Sequence, residues 1–129
     1  MCNLNILLRK NCDIEKENIA LFVQSVTSHS FTSNHDGEGF YSNGKVCKGV
    51  LKINYMKHAE LLKSSKVIIT HQRLATSGYT AKYTQPFTSK EFVLAHNGIM
   101  SDFVNFESSD TYEFFHAFLR RFEKTNGNN

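Results

Sequence analysis

The chain is expected to fold as a single α+β domain, and three observations carry that expectation. Some segments are short apolar runs of strand length, while others place apolar residues at i, i+3, i+4 and i+7, the spacing of one helical face. The order along the chain is strand, helix, strands, helix, strands, helix, with one Pro, no repeat and no linker. The 129 residues are 40% hydrophobic and include eleven Phe, which is enough apolar material to close one core.

The first element is a strand over "NLNILLR", short and rich in apolar residues. In "NCDIEKENIALFVQSVTSHS" the period changes. Ile19, Phe22, Val23 and Val26 share a face, so a helix is expected over residues 14–27. Asp13 is placed to cap it, and Glu15 and Glu17 stand where the positive end of the helix dipole favours acids. "GFYSNGKVCKGVLKI" reads as two strands about Asn43-Gly44, a strong two-residue hairpin signal. "YMKHAELLKSS" is a short helix, and "KVIITHQRLA" and "EFVLAHNG" open as strands. The segment "TSGYTAKYTQPFTSK" is a long polar loop, a common form for a binding loop or lid. "SSDTYEFFHAFLRRFEK" is a clear helix over residues 110–123. Its apolar face includes Tyr112, Phe115, Leu119 and Phe122, and Asp110 with Glu113 makes a capping box at its start. Residues 125–129, "TNGNN", read as a disordered tail of the one domain spanning 1–129.

Composition narrows the function classes. Fifteen basic and twelve acidic residues give a net charge of +3, mixed along the chain with no basic block, so no nucleic-acid partner is expected. No apolar run is long enough to cross a bilayer and "LNILL" is too short for a signal-peptide core, so a cytoplasmic protein without a membrane partner is expected. Cys2, Cys12 and Cys47 are odd in number and lack a CxxC spacing, which suits neither a disulfide framework nor a zinc site. Cys12 and Cys47 read as small, inert, partly buried residues. The six His residues form no HExxH or His-x-His pattern, and neither a metal nor a cofactor is expected.

Four stretches combine an apolar strand with a polar or Gly-rich turn, where scaffolds place reactive groups. Cys2 is the first. Removal of Met1 would put a thiol and a free α-amine on one residue, and an α-amine with a pKa of about 7.7–8.0 can accept the thiol proton near neutral pH. "HQRLATSG", His71 to Gly78, is the second. Arg73 in that stretch can hold a carboxylate through two parallel hydrogen bonds, with Thr76 and Ser77 adding hydroxyls. "LAHNGIM" is the third, where the Asn97 amide and the Gly98 N–H can point at a developing oxyanion. "SSDTYEF" is the fourth, where Asp110 can bind an ammonium group. Each has a plainer reading: an accidental position for Cys2, a surface or ion-pairing Arg73, a hairpin turn at Asn97-Gly98 and a helix cap at Asp110. Taken alone, the plainer reading is favoured for Cys2 and Asn97-Gly98, is the commoner outcome for Arg73, and is strong for Asp110.

Taken together, Met1-Cys2, "HDGEG" (35–39), "HQRLATSG" (71–78), "QPF" (85–87), "AHNGIM" (95–100) and "SDT" (109–111) resemble the class II glutamine amidotransferase domain of the N-terminal-nucleophile hydrolases. The resemblance spans nearly the whole chain. It implies a four-layer αββα sandwich in which the helices at 14–27 and 110–123 are covering layers. It implies Cys2 as nucleophile with its own α-amine as base, and Asn97 and Gly98 as oxyanion hole. Arg73 would grip the α-carboxylate of glutamine with help from Thr76, and Asp110 would take its ammonium. His71 and His96 would support the site, and Ser77 stands where some relatives use a His to hold glutamine.

The implied activity is hydrolysis of glutamine to glutamate and ammonia through a γ-glutamyl thioester. The ammonia would pass to a separate acceptor synthase subunit or domain. Family domains usually carry further strands after the Ser-Asp-Thr helix, and the gap between Gly98 and Asp110 is short for the family, so a C-terminally shortened sandwich is expected. A shortened fold also suggests the alternative of a non-catalytic glutamine-binding or regulatory module.

Overall fold

The computed structural model describes residues 1–10, 15–31 and 33–127, and its architecture is α+β. Strands β1 (Asn3–Leu8), β2 (Glu38–Ser42), β3 (Lys45–Gly49) and β4 (Val67–Gln72) form an antiparallel sheet in the order β1-β4-β2-β3. Strands β5 (Phe87–Thr88) and β6 (Val93–Leu94) form a second, two-stranded ladder. The helices are α1 (Lys16–Phe31), α2 (Ala59–Ser64) and α3 (Asp110–Gly127). Among the described residues no helix is long and apolar enough to cross a membrane.

The Asn43-Gly44 hairpin forms as expected. Both residues have positive φ, 48° and 81°, which matches the twist of the flanking strands. The strand expected from "EFVLAHNG" shrinks to Val93–Leu94, because only Phe87 and Thr88 stand opposite to pair with it. The long loop is only partly a loop: it contains a 3-10 turn at Ala81–Tyr83 and then β5. Tyr83 packs edge-on against Tyr112 at 5.0 Å, and Thr84 is buried, so this segment is pinned.

Helix α1 covers one face of the four-stranded sheet. Ile19, Ala20, Val23 and Thr27 are its buried residues, and they meet Phe40, Tyr55, Leu62 and Ile68 in the main core. Phe22, expected on that face, is 51% exposed, because the buried stripe runs through Ala20 and Thr27 instead. The helix extends to Phe31, beyond the expected end at 27. Asp13, the expected cap, and Cys12 lie outside the described residues. Phe40 is the central core side chain, packed on Tyr55 at 5.5 Å, and truncating it to Ala would cost about 3–5 kcal/mol.

Strand β1 contributes a polar face to the α1 side. Asn5 and Leu7 line the crevice under α1 with Ile68 and Thr70, while Ile6 and Leu8 point the other way and are 60% and 71% exposed. Helix α3 packs its aromatic residues on the small ladder. Phe115 stacks on Phe87, and Phe92 sits edge-on between Phe118 and Phe122 at 4.9 and 4.8 Å. The helix runs to Gly127, into the segment expected to be a disordered tail.

The expected capping box of α3 is replaced by a different cap. Ser109 Oγ accepts from the Tyr112 N–H at 3.1 Å, and Glu113 accepts instead from the Ser108 hydroxyl at 2.5 Å. Ser109 fits the cap better because it is the last residue before the helix, whereas Asp110 is already inside the first turn.

Candidate functional site

The site forms where the end of β4 meets the N-terminus of α3. Beyond Gln72 the chain turns through Arg73, Leu74 and Ala75, and the "HDGEG" loop holds that turn. The Arg73 N–H donates to Gly37 O at 2.8 Å, the Asp36 N–H to Arg73 O at 3.0 Å, and the Ala75 N–H to Asp36 Oδ2 at 2.8 Å. Gly39 must be glycine, since a Cβ there would lie 2.0 Å from the Gln85 carbonyl oxygen.

Cys2 is brought to this turn by β1, whose first residue Asn3 pairs with Gln72. The Leu74 N–H donates to Cys2 Sγ at 3.4 Å and the thiol donates to Leu74 O at 3.6 Å. Arg73 is not the surface Arg of the plainer reading, being only 4% exposed. Its guanidinium donates to the carbonyls of Gly78 and Ser77, which orients it and curls residues 73–78 around it. Burial pulls its pKa down, opposed by the neighbouring Cys2, Asp36, Tyr79 and Asp110.

The opposite wall is "AHNGIM". It lies after β6 and is not a hairpin turn, since the β5-β6 connection is residues 89–92. Gly98 has φ +153°, and a Cβ there would press within 3.0 Å of His96 Nε2. Three side chains hold this wall. Gln85 Oε1 accepts from the His96 N–H at 2.6 Å, Asp110 Oδ2 from the Met100 N–H at 2.5 Å, and His96 Nδ1 lies 3.3 Å from Thr111 Oγ1. Asp110 Oδ1 accepts from its neighbour Thr111 at N and Oγ1. With Ser109 capping the helix, the Asp110 carboxylate faces the cavity at the positive end of α3.

These groups line one cavity of about 180 Å³, smaller than a drug-sized ligand pocket. Of the nine residues singled out from sequence, Cys2, Arg73, Thr76, Ser77, His96, Asn97, Gly98 and Asp110 lie in its wall and His71 does not. The Ser77 hydroxyl is spent on a 2.6 Å bond to Ser108 O, so it ties the wall to the start of α3.

His71 lies behind the wall, fully buried on β4. Burial foremost, together with the nearby Arg73, pushes its pKa down to about 4. Cys47 is outside the cavity. Burial, then the charge of Glu38, raises its thiol pKa, which suits the inert role expected of it.

Compared with family models, curated proteins and solved structures, the chain matches none.

Sequence reading assigned no role to Gln85, Thr111 or the Leu74 backbone, although Gln85 and Thr111 lie inside quoted motifs. Gln85 precedes the single Pro, a position that marks a fixed turn but says nothing of where the amide points.

Proposed function

We propose that this chain is a class II glutamine amidotransferase domain of the four-layer N-terminal-nucleophile type, hydrolysing glutamine to glutamate and ammonia. The observation that carries the reading is the convergence of eight of the nine singled-out residues, scattered between positions 2 and 110, on one small cavity. An accidental set of common turn motifs would have no reason to meet there.

In this reading glutamine enters with its zwitterionic end toward Arg73 and Asp110, a fixed cation and a fixed anion that line the cavity from its two walls. Its carboxamide carbon then meets Cys2 Sγ. The α-amine freed by loss of Met1 takes the thiol proton, and sulfur attacks to form a C–S bond. The Asn97 amide and the Gly98 N–H stabilise the oxyanion of the tetrahedral intermediate. Collapse breaks the C–N bond, and the proton held by the amine leaves with ammonia. Water then cleaves the thioester, releasing glutamate and restoring the thiol. The ammonia goes to a separate acceptor enzyme. The cytoplasm suits this chemistry, because thiols are kept reduced there.

A second reading is binding without turnover, since Cys2 gains the free amine that this chemistry needs only when Met1 is removed. Mass spectrometry of the purified chain, with glutamate release measured for native protein and Cys2→Ala, decides between the two. Loss of Met1 with turnover that vanishes in Cys2→Ala is expected. A processed chain that binds glutamine by calorimetry yet releases no glutamate, even beside an ammonia acceptor, refutes the enzyme reading.

A further inference from the structure

We propose that Glu38, which does not line the cavity, is a positioning residue that sets the geometry of Cys2 and Arg73 through Gln72. The inference rests on the catalytic role proposed above for Cys2. It starts from a buried acid. Glu38 is fully buried, and among the described residues no Lys or Arg forms an ion pair with it. An acid in such a place is expensive unless its oxygens are satisfied, and an apolar residue of similar volume would pack there more cheaply. Three donors satisfy it: the Ile53 N–H at 2.7 Å, the Tyr55 hydroxyl at 2.8 Å and Gln72 Nε2 at 3.1 Å.

The third bond has a directional consequence. A carboxylate only accepts, so the Gln72 amide is held with its NH2 toward Glu38 and its oxygen toward β1. That oxygen accepts from Asn3 Nδ2 at 3.1 Å and Asn5 Nδ2 at 3.5 Å. Glu38, Gln72 and Asn3 are direct cross-strand neighbours on β2, β4 and β1. They form a single polar row with one direction of donation, running from β1 to the buried carboxylate. Asn3 follows Cys2 in the chain and Gln72 precedes Arg73. The row therefore ties together the backbone points from which the thiol and the guanidinium spring. Strand β1 lies at the sheet edge and pairs only with β4, so this row adds a side-chain tether to an otherwise one-sided attachment.

The test is an exchange of the two groups. In Glu38→Gln the side-chain oxygen is needed by the Ile53 N–H, so the NH2 turns toward the Gln72 amide and reverses the row. In the double variant Glu38→Gln/Gln72→Glu, the amide at position 38 donates to a carboxylate at position 72. That carboxylate still accepts from Asn3 and Asn5, and the remaining oxygen at 38 still accepts from Ile53. Two rates are read on folded protein: glutamate release, and iodoacetamide alkylation of Cys2 located by peptide mass mapping. Glu38→Gln is expected to lower kcat about tenfold with little change in KM and to slow Cys2 alkylation, and the double variant to recover both to within about threefold of native. A role in stability alone would leave both rates of the folded Glu38→Gln protein unchanged.

Native-like rates in folded Glu38→Gln, or a double variant no faster than the single one, overturn the proposal. Should Glu38→Gln not fold, Asn3→Ala cuts the same row at its β1 end and is expected to slow both rates; unchanged rates there also overturn it. Native protein without turnover refutes the glutaminase reading instead, and the alkylation arm still tests the positioning.

Discussion

The two walls of the cavity are built by different means. The Cys2–Arg73 wall grows out of a four-stranded sheet, with every strand from β1 to β3 in register and a buried core beneath. The Asn97–Gly98 wall grows out of a two-stranded ladder of two residues per strand, and side chains supply what a sheet would otherwise provide. Gln85, Asp110 and Thr111 each hold one point of that loop. A wall held by a sheet is stiff because many bonds share the load. A wall held by three side chains depends on each of them, so single substitutions there are expected to act on activity more than on global stability.

The largest expected effect is on the sheet-held wall. Cys2→Ala removes the proposed nucleophile and is expected to lower glutamate release by at least about 10³-fold. The thiol is only partly buried, so the urea unfolding midpoint should barely move. A large loss of stability in this variant would break the contrast between the two walls.

Next comes acid sensitivity. His71 has its pKa depressed to about 4 in the folded state, against an ordinary value of 6.5. Unfolded protein therefore takes up a proton in this window that folded protein refuses. The stabilisation from the neutral ring is complete above pH 6.5 and is lost as the pH falls toward 4, by about 3 kcal/mol in all. Denaturant melts at pH 7 and pH 4.5 should show the loss, and His71→Gln should flatten it.

Asp110→Asn is expected to lower kcat/KM for glutamine about 10²-fold. It weakens both the proposed ammonium site and the bond from Met100, so KM should rise with kcat falling. Gln85→Ala leaves the His96 N–H without its acceptor, a loss of about 1–3 kcal/mol. A drop in kcat of about tenfold with a melting point lowered by only a few degrees would sharpen the comparison. The smallest effect is expected far from both walls. Asn43→Ala strains a residue with φ 48° and should cost about 1 kcal/mol in stability, leaving glutamine turnover unchanged.

Much of the sheet-held half was legible in the sequence because its signals are local. Asn43-Gly44 announces its turn, and "NLNILLR" announces a strand. The orientation of that strand was not legible. Its apolar Leu4, Ile6 and Leu8 suggest an inward face, yet Ile6 and Leu8 are exposed and Asn3, Asn5 and Leu7 turn toward α1. Register decides this, and register depends on partners such as Gln72 and Glu38, which lie 69 and 35 residues away from Asn3. The α3 cap failed for a similar reason. Asp110 and Glu113 have capping spacing, but Ser109 occupies the cap and Ser108 takes Glu113. The eight cavity residues were legible as a set through their resemblance to a family. The supporting bonds of Gln85 and Thr111 were not, since they depend on where backbone N–H groups point.

The bond between Cys2 and Leu74 also has a meaning in time. The two residues are 72 positions apart, and the other cavity wall is held at Asp110 and Thr111. During synthesis the thiol emerges long before its seat, which does not exist until β4 has been made, and the cavity cannot close before the start of α3 has left the ribosome. Over that interval the chain carries Cys2 as an unsheltered thiol on an unpaired strand.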